Sequence, residues 1–210
     1  MKIDSRKLFS VLGIIAPGVV FFGIVLLSVS WQGFNFISEY ASVLGSVISP
    51  FRHVVNIFGF GLFGIFMMGF TYPLGERLNK NYFSDTATRL FLAGGLLISI
   101  LGIFPIDPEK TRITLDGKLH SLIGTIAFIG IPISIIWYAL AFGRDREWGS
   151  FWKTISFILA GVGLTVAVIL KIEPNYIYAG IVEMTGIGAN LLWIFFVSVR
   201  LWLEFQFGLK

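Results

Sequence analysis

The most regular feature of this sequence is a series of six apolar stretches that carry few or no charged residues. An α-helix needs about 20 consecutive apolar residues to cross the hydrocarbon core of a bilayer, and every stretch is at or near that length. The pattern predicts six transmembrane helices, which lie at about residues 8–30, 54–75, 90–106, 119–143, 154–170 and 176–199.

Composition supports the same conclusion. Hydrophobic residues make up 56% of the 210 positions and charged residues only 13%, which is more apolar surface than one soluble core can bury. We therefore predict an all-α polytopic membrane protein whose single domain, residues 1–210, is a six-transmembrane-helix bundle.

The distribution of Lys and Arg predicts the orientation of this bundle. Six spans place both ends of the chain on one side of the membrane, and eleven of the 16 Lys and Arg residues fall on that side. Cytoplasmic loops carry the excess of positive charge in membrane proteins. The sequence predicts a multi-pass protein of the plasma membrane with both termini in the cytoplasm.

The connection between the first two spans is amphipathic. Between Trp31 and Arg52, apolar residues recur at helical spacing and serines fall largely on the opposite side. This pattern predicts a short external helix that lies at the membrane surface or forms a lid over the bundle.

Residue usage excludes several kinds of chemistry. The chain has no cysteine, so it forms neither disulfides nor thiolate-ligated zinc or iron–sulfur sites. Its net charge of +4 comes from residues dispersed at the ends of the spans, so we predict no nucleic-acid partner. Acids, hydroxyls, amides and two histidines remain as candidate functional groups.

Glu183 is the most informative of these groups. It falls about seven residues into the sixth predicted span, hence roughly 10 Å below its external end. A carboxylate that faced lipid there would cost about 2.5 kcal/mol or more, so we expect it to face the bundle interior. Asn190 lies two turns further on the same face. The pair predicts a ligand, proton or metal site, or else a structural hydrogen bond to Asn56 or Thr125.

A second group of polar residues is expected at the external ends of the helices. His120 opens the fourth span, and Asp107 ends the third only a dozen residues earlier. A carboxylate beside an imidazole orients the ring and raises its basicity, as proton transfer or metal binding requires. Glu39 and Glu173 can reach the same end. The candidate catalytic residues are His120, Asp107 and Glu183, and the candidate ligand-binding residues are Glu39, Asn56, Asn190 and Glu173.

No cofactor is indicated by this set. The sequence has no His-x-x-x-His or other metal-ligand spacing, so a divalent metal is a minor alternative. A Ser–His–acid triad of Ser38 or Ser121 with His120 and Asp107 is another, but no nucleophile elbow accompanies it.

Two further patterns are open to two interpretations each. Gly59-Phe60-Gly61-Leu62-Phe63-Gly64 matches a dinucleotide-binding fingerprint, but no strand precedes it, so its glycines are predicted to let the second span approach a neighbour closely. The hairpins at residues 53–107 and 120–173 each begin with a histidine and end with an acid. Duplication explains this likeness, and so does coincidence in a low-diversity sequence.

Several short segments resemble one known family. They are Ser38-Glu39-Tyr40, Asn56, Gly102-Ile103-Phe104-Pro105-Ile106-Asp107 and Gly117-Lys118-Leu119-His120. Over most of its length the chain resembles the prokaryotic membrane-protein family catalogued as domain of unknown function 998, which is distantly similar to Frag1 proteins. The resemblance implies a six-helix protein of unassigned activity whose polar positions are Glu39, Asn56, Asp107 and His120.

Three hypotheses for function follow. The first is an externally facing polar pocket that binds or modifies a lipid or other amphiphile, with membrane lipids as partners; as an enzyme, it would be a lipid hydrolase or transferase. The second is a small proton-coupled transporter that uses Glu183 and Asn190. The third is a structural subunit of a membrane complex, or a homo-oligomer.

Overall fold

The computed structural model describes residues 4–108, 113–173 and 176–208. Over these ranges the chain is helical and contains no strand. Six helices are long and apolar enough to cross a membrane, which confirms the predicted fold class and shows a multi-pass membrane protein. They are α1 (Ser5–Ser30), α2 (Arg52–Arg77), α3 (Tyr82–Leu101), α4 (Leu115–Phe142), α5 (Gly149–Ile172) and α6 (Ala179–Phe207).

The largest shifts from the predicted bounds are at the end of α6, which continues to Phe207 rather than 199, and at the start of α3, for which the apolar run indicated residues 90–106. Helix α3 begins earlier because Asn81 caps it: the Asn81 side chain accepts hydrogen bonds from the N–H groups of Phe83 and Ser84, and Ser84 bonds back in a capping box. Capping, rather than hydropathy, therefore sets its first residue. At the other end α3 stops at Leu101, and residues 102–106 form part of the connection to α4.

The six helices pack as a ring in chain order. Each helix contacts the next one, and α6 returns to contact α1. One end of the ring holds the connection 31–51 together with the described parts of 102–114 and 173–178, and the other end holds the connections 78–81 and 143–148. We call these ends the His120 face and the Trp148 face, after a residue near each.

Aromatic side chains fill the middle of the ring in the half nearer the Trp148 face. Trp193 is 1% exposed, and its indole N–H donates to Ser156 Oγ at 2.8 Å. Four neighbouring rings lie with their centroids 5.3 to 6.4 Å from that of Trp193, the range in which aromatic pairs attract. Trp148 stacks on Phe142 with 4.3 Å between the centroids. We call these six rings the aromatic plug; they belong to Phe70, Phe91, Tyr138, Phe142, Trp148 and Trp193.

The Trp148 face is held together by an ion-pair network around the buried carboxylate of Glu204. The Glu204 carboxylate lies 2.8 Å from Arg77 Nε on α2 and 2.8 Å from Arg200 Nε on α6. The Arg200 guanidinium also stacks 4.3 Å above the ring of Trp148. In the adjacent turn Asp145 is buried and accepts a hydrogen bond from the backbone N–H of Asn79. These contacts join α2, α6 and the connection between α4 and α5.

Helices α2 and α3 pack with their backbones in contact, as the glycine pattern indicates. A Cβ at Gly64 would collide with the carbonyl oxygen of Gly95 and the backbone nitrogen of Ser99. Before this point α2 is π-helical over Val55–Leu62, and Ser99 Oγ donates to the Gly61 carbonyl at 2.8 Å. Small residues thus bring a polar side chain of α3 within reach of the α2 backbone.

We expect Gly64→Ala to destabilise the protein by about 1–3 kcal/mol, because the added methyl group overpacks the contact between α2 and α3. Gly75→Ala is the matched control on the same helix, since no atom lies within 4 Å of a Cβ built there. Thermal unfolding in detergent measures both variants. Equal melting temperatures for the two would contradict the packing role of Gly64.

Candidate functional site

A cavity of about 260 Å³ occupies the centre of the ring, and all six helices contribute to its wall. It lies between the aromatic plug and the His120 face. Apolar side chains form most of the wall, so the site is an apolar cavity with a polar minority rather than the polar pocket expected from the sequence. The polar residues that line it are Tyr40, Ser42, His120, Ser121, Thr125, Lys171, Glu183 and Asn190.

A segment between α1 and α2 covers this cavity. The predicted short helix is present as a five-residue 3-10 helix, Ala41–Gly45, within a stretch that we call the roof segment, residues 36–49. Tyr40, Ala41 and Ser42 line the cavity, while Leu44 is fully buried. This placement favours the lid interpretation of that helix over a helix at the membrane surface.

Glu183 faces the bundle interior, as its cost in lipid predicts. It is the fifth residue of α6, which places it about 6 Å along the helix from Ala179 and nearer the surface than the roughly 10 Å inferred from sequence. Its Oε2 accepts the backbone N–H of Ala41 at 2.5 Å. The carboxylate therefore lines the cavity and binds the roof segment.

His120 is held by the backbone. Its Nδ1 lies 2.6 Å from the carbonyl oxygen of Phe104, and because a carbonyl only accepts, Nδ1 carries the proton when the ring is neutral. Nε2 is then the nitrogen with the lone pair. The ring is 5% exposed and meets Phe60 edge-on with 5.7 Å between centroids.

Asp107 does not orient this imidazole, contrary to the prediction from sequence. Its carboxylate accepts the Thr114 hydroxyl at 2.5 Å and the Thr114 backbone N–H at 2.9 Å. Thr114 is the N-cap of α4 and accepts the Gly117 N–H. Asp107 therefore binds the N-cap residue of α4, and the Phe104 carbonyl occupies the position beside His120 that was expected for Asp107.

The environment of Asp107 favours its charged form. The Thr114 side-chain hydrogen bond, more than any other contact, lowers the pKa of Asp107 from its ordinary value. Burial opposes this shift. A Cβ at Gly117 would collide with the Asp107 carboxylate, so the first turn of α4 packs directly on it.

Of the four predicted ligand-binding residues, Asn190 lines the cavity and the other three do not. The Asn190 Oδ1 is buried without a hydrogen-bond partner. Asn56 instead donates from Nδ2 to the Gly45 carbonyl at 3.0 Å, Glu39 accepts a backbone N–H in its own turn, and Glu173 is exposed after α5. The cavity thus brings together His120, Glu183 and Asn190, but not Asp107, Glu39, Asn56 or Glu173.

Sequence reasoning missed several lining residues. Tyr40 and Ser42 belong to the roof segment, and Lys171 is in the last turn of α5. Lys171 ends an apolar run, which gave it the appearance of a topology determinant only. Within residues 4–108, 113–173 and 176–208, no three His, Asp or Glu side chains are grouped so that they could hold a metal ion.

A family model described as "Protein of unknown function (DUF998)" matches residues 14–200. The chain belongs to this family. Comparison with curated proteins and with solved structures finds no match. In this DUF998 protein the segments that carried the resemblance meet at the His120 face: Asn56 binds Gly45, Asp107 packs on Gly117, and His120 binds Phe104.

We expect Asp107→Asn to lower the stability of this DUF998 protein at neutral pH by on the order of 1 kcal/mol, because the hydrogen bond to Thr114 loses its charge. The folded pKa is lowered, so the contribution of the charge is complete above the ordinary value of 3.8 and is lost as the pH falls through the folded pKa. The difference from the parent protein therefore shrinks below about pH 4.

Thermal unfolding in detergent between pH 3 and pH 7 measures this difference. Asp116→Asn is the matched control, because Asp116 is an exposed acid in the first turn of the same helix. A difference for Asp107→Asn that stays constant over the whole pH range would contradict the assignment.

Proposed function

We propose that this DUF998 protein binds one apolar chain of a lipid or other amphiphile in the central cavity, with the polar head toward the His120 face. The observation that carries the proposal is the polarity gradient of the wall. Tyr40, His120, Lys171 and Glu183 lie near that face, whereas the deeper wall is mostly apolar, as at Ile194, although the Asn190 amide lies one turn from Ile194. An amphiphile has the same gradient.

The size of the cavity supports a single chain. Sites for drug-sized ligands occupy about 300–1,000 Å³, and this cavity of about 260 Å³ lies just below that range. A second chain of a two-chain lipid would remain in the surrounding membrane.

Binding is favoured over catalysis and over transport. For catalysis, the acid–base pair predicted from His120 and Asp107 is not formed, because Asp107 is engaged by Thr114. For transport, a path through the ring would have to pass the aromatic plug, where Trp193 and Tyr138 are each 1% exposed. The lone pair of His120 Nε2 suits the recognition of a head group that donates a hydrogen bond, such as a hydroxyl.

The charge distribution supports one location for the site. The excess of Lys and Arg on the side of the Trp148 face supports a plasma-membrane protein whose Trp148 face is cytoplasmic. The His120 face would then be external, and the amphiphile would come from the outer leaflet or the external medium.

We expect Gly124→Leu to reduce co-purifying amphiphile at least about tenfold, because the isobutyl group occupies the cavity. Gly124 lines the cavity, and a Cβ there makes only an ordinary contact with Leu101. Gly130→Leu is the matched control on the same helix, since a Cβ at Gly130 meets nothing within 4 Å and Gly130 is not among the lining residues.

Native mass spectrometry of gently extracted protein, followed by lipid analysis of the same sample, measures the bound material. The proposal requires a stoichiometric amphiphile in the parent protein and in Gly130→Leu. It is wrong if the parent carries none, or if Gly124→Leu retains as much as the control while both variants remain folded.

A further inference from the structure

We propose that the roof segment is a lid over the cavity, latched by Glu183 on α6 and Asn56 on α2. The identity of what enters rests on the proposed function, but the opening itself does not. The proposal gives a mechanical role to two residues that sequence reasoning assigned to ligand binding.

The two latches hold opposite ends of one short helix. Glu183 accepts the N–H of Ala41, the first residue of the 3-10 helix, and Asn56 donates to the carbonyl of Gly45, its last residue. Helix ends leave N–H and C=O groups without internal partners. An acceptor from α6 and a donor from α2 satisfy one group at each end, so the roof is attached to the two helices that flank α1.

Backbone hydrogen bonds hold the beginning of the roof segment against α6. The N–H groups of Gly180 and Ile181 both point to the Ile37 carbonyl, at 3.0 and 3.3 Å. A Cβ at Gly180 would collide with the carbonyl oxygens of Phe36 and Glu39. The roof lies this close to α6 because residue 180 has no side chain.

The closed position also leaves polar atoms without partners. Asn56 Oδ1 and Ser46 Oγ are buried in residues that are 7% and 0% exposed, and neither has a hydrogen-bond partner. Opening would return both oxygens to water, which lowers the cost of the open state. The roof is held by hydrogen bonds, whereas ion pairs and stacked rings join the elements at the Trp148 face.

The absence of cysteine from the chain makes lid opening measurable. Ser121 lines the cavity and is partly exposed, so we expect Ser121→Cys to react with a water-soluble maleimide faster when the lid opens. Leu115→Cys, at a residue that is 71% exposed on the same helix, reports the unprotected rate. Ala139→Cys, at a residue that is 0% exposed, reports unfolding.

We expect Ser121→Cys to react slowly alone and at least about tenfold faster when combined with Glu183→Ala or Asn56→Ala. Glu173→Ala, which removes an exposed acid at the same face, leaves the rate unchanged. Leu115→Cys and Ala139→Cys keep their own rates in every background.

A second pair of variants opens the lid without removing a polar group. Gly180→Ala pushes the roof off α6 and speeds the labelling of Ser121→Cys, whereas Gly188→Ala does not, because a Cβ at Gly188 makes only an ordinary contact with Phe21. If a latch variant unfolds, so that Ala139→Cys also becomes labelled, the comparison of Gly180→Ala with Gly188→Ala still tests the lid.

Two results would overturn the lid. One is labelling of Ser121→Cys as fast as Leu115→Cys in the parent background, and the other is an unchanged Ser121→Cys rate in folded latch and Gly180→Ala variants. Neither result depends on a bound amphiphile. A failed lid therefore remains distinguishable from a failed binding proposal, which the Gly124→Leu comparison tests.

Discussion

Six helices that pack in a ring leave a central space that their backbones cannot fill. Protein interiors are close-packed, so this space has to be filled by side chains or by something that enters it. In this protein the two halves of the ring differ. Aromatic rings around Trp193 fill the half near the Trp148 face, and the other half contains the cavity of about 260 Å³.

This division determines where the protein can move. The ends of α2 and α6 at the Trp148 face are tied through Glu204 to two arginines, and Arg200 also packs on Trp148. Breaking a buried ion pair strands a charge and is costly. The roof at the His120 face is instead held by hydrogen bonds, which include those of Glu183, Asn56 and the start of α6. Motion is therefore expected at the face where the cavity has its polar groups.

The sequence was sufficient for the number of helices, because lipid exposure imposes long apolar runs that hydropathy detects. It also placed Glu183 correctly in the interior, since the cost of a carboxylate in lipid leaves few alternatives. It failed for the partner of His120. Proximity along the chain suggested Asp107, but the N-cap of α4 at Thr114 competes for that carboxylate, and the Phe104 carbonyl became the partner.

The role of Asn56 could not be read from the sequence for a similar reason. Its partner is the carbonyl of Gly45, and a backbone atom has no sequence signature. The residues that carried the family resemblance gain a shared explanation once the structure is known. Asn56, Asp107 and His120 each bind or pack on the connections at the His120 face, so they specify how that face is joined as well as what chemistry it offers.

Glu183 has two roles, holding the roof segment and contacting the ligand, and the two oppose each other. The carboxylate binds the Ala41 N–H of the roof and also lines the cavity. A head group that donates a hydrogen bond to Glu183 competes with Ala41, so ligand binding at this end weakens the latch. Coupling between two equilibria is reciprocal, and closing the lid must therefore weaken the hold on that head group by the same factor. A ligand bound mainly by its apolar chain, deeper in the cavity, escapes this opposition and remains under a closed lid.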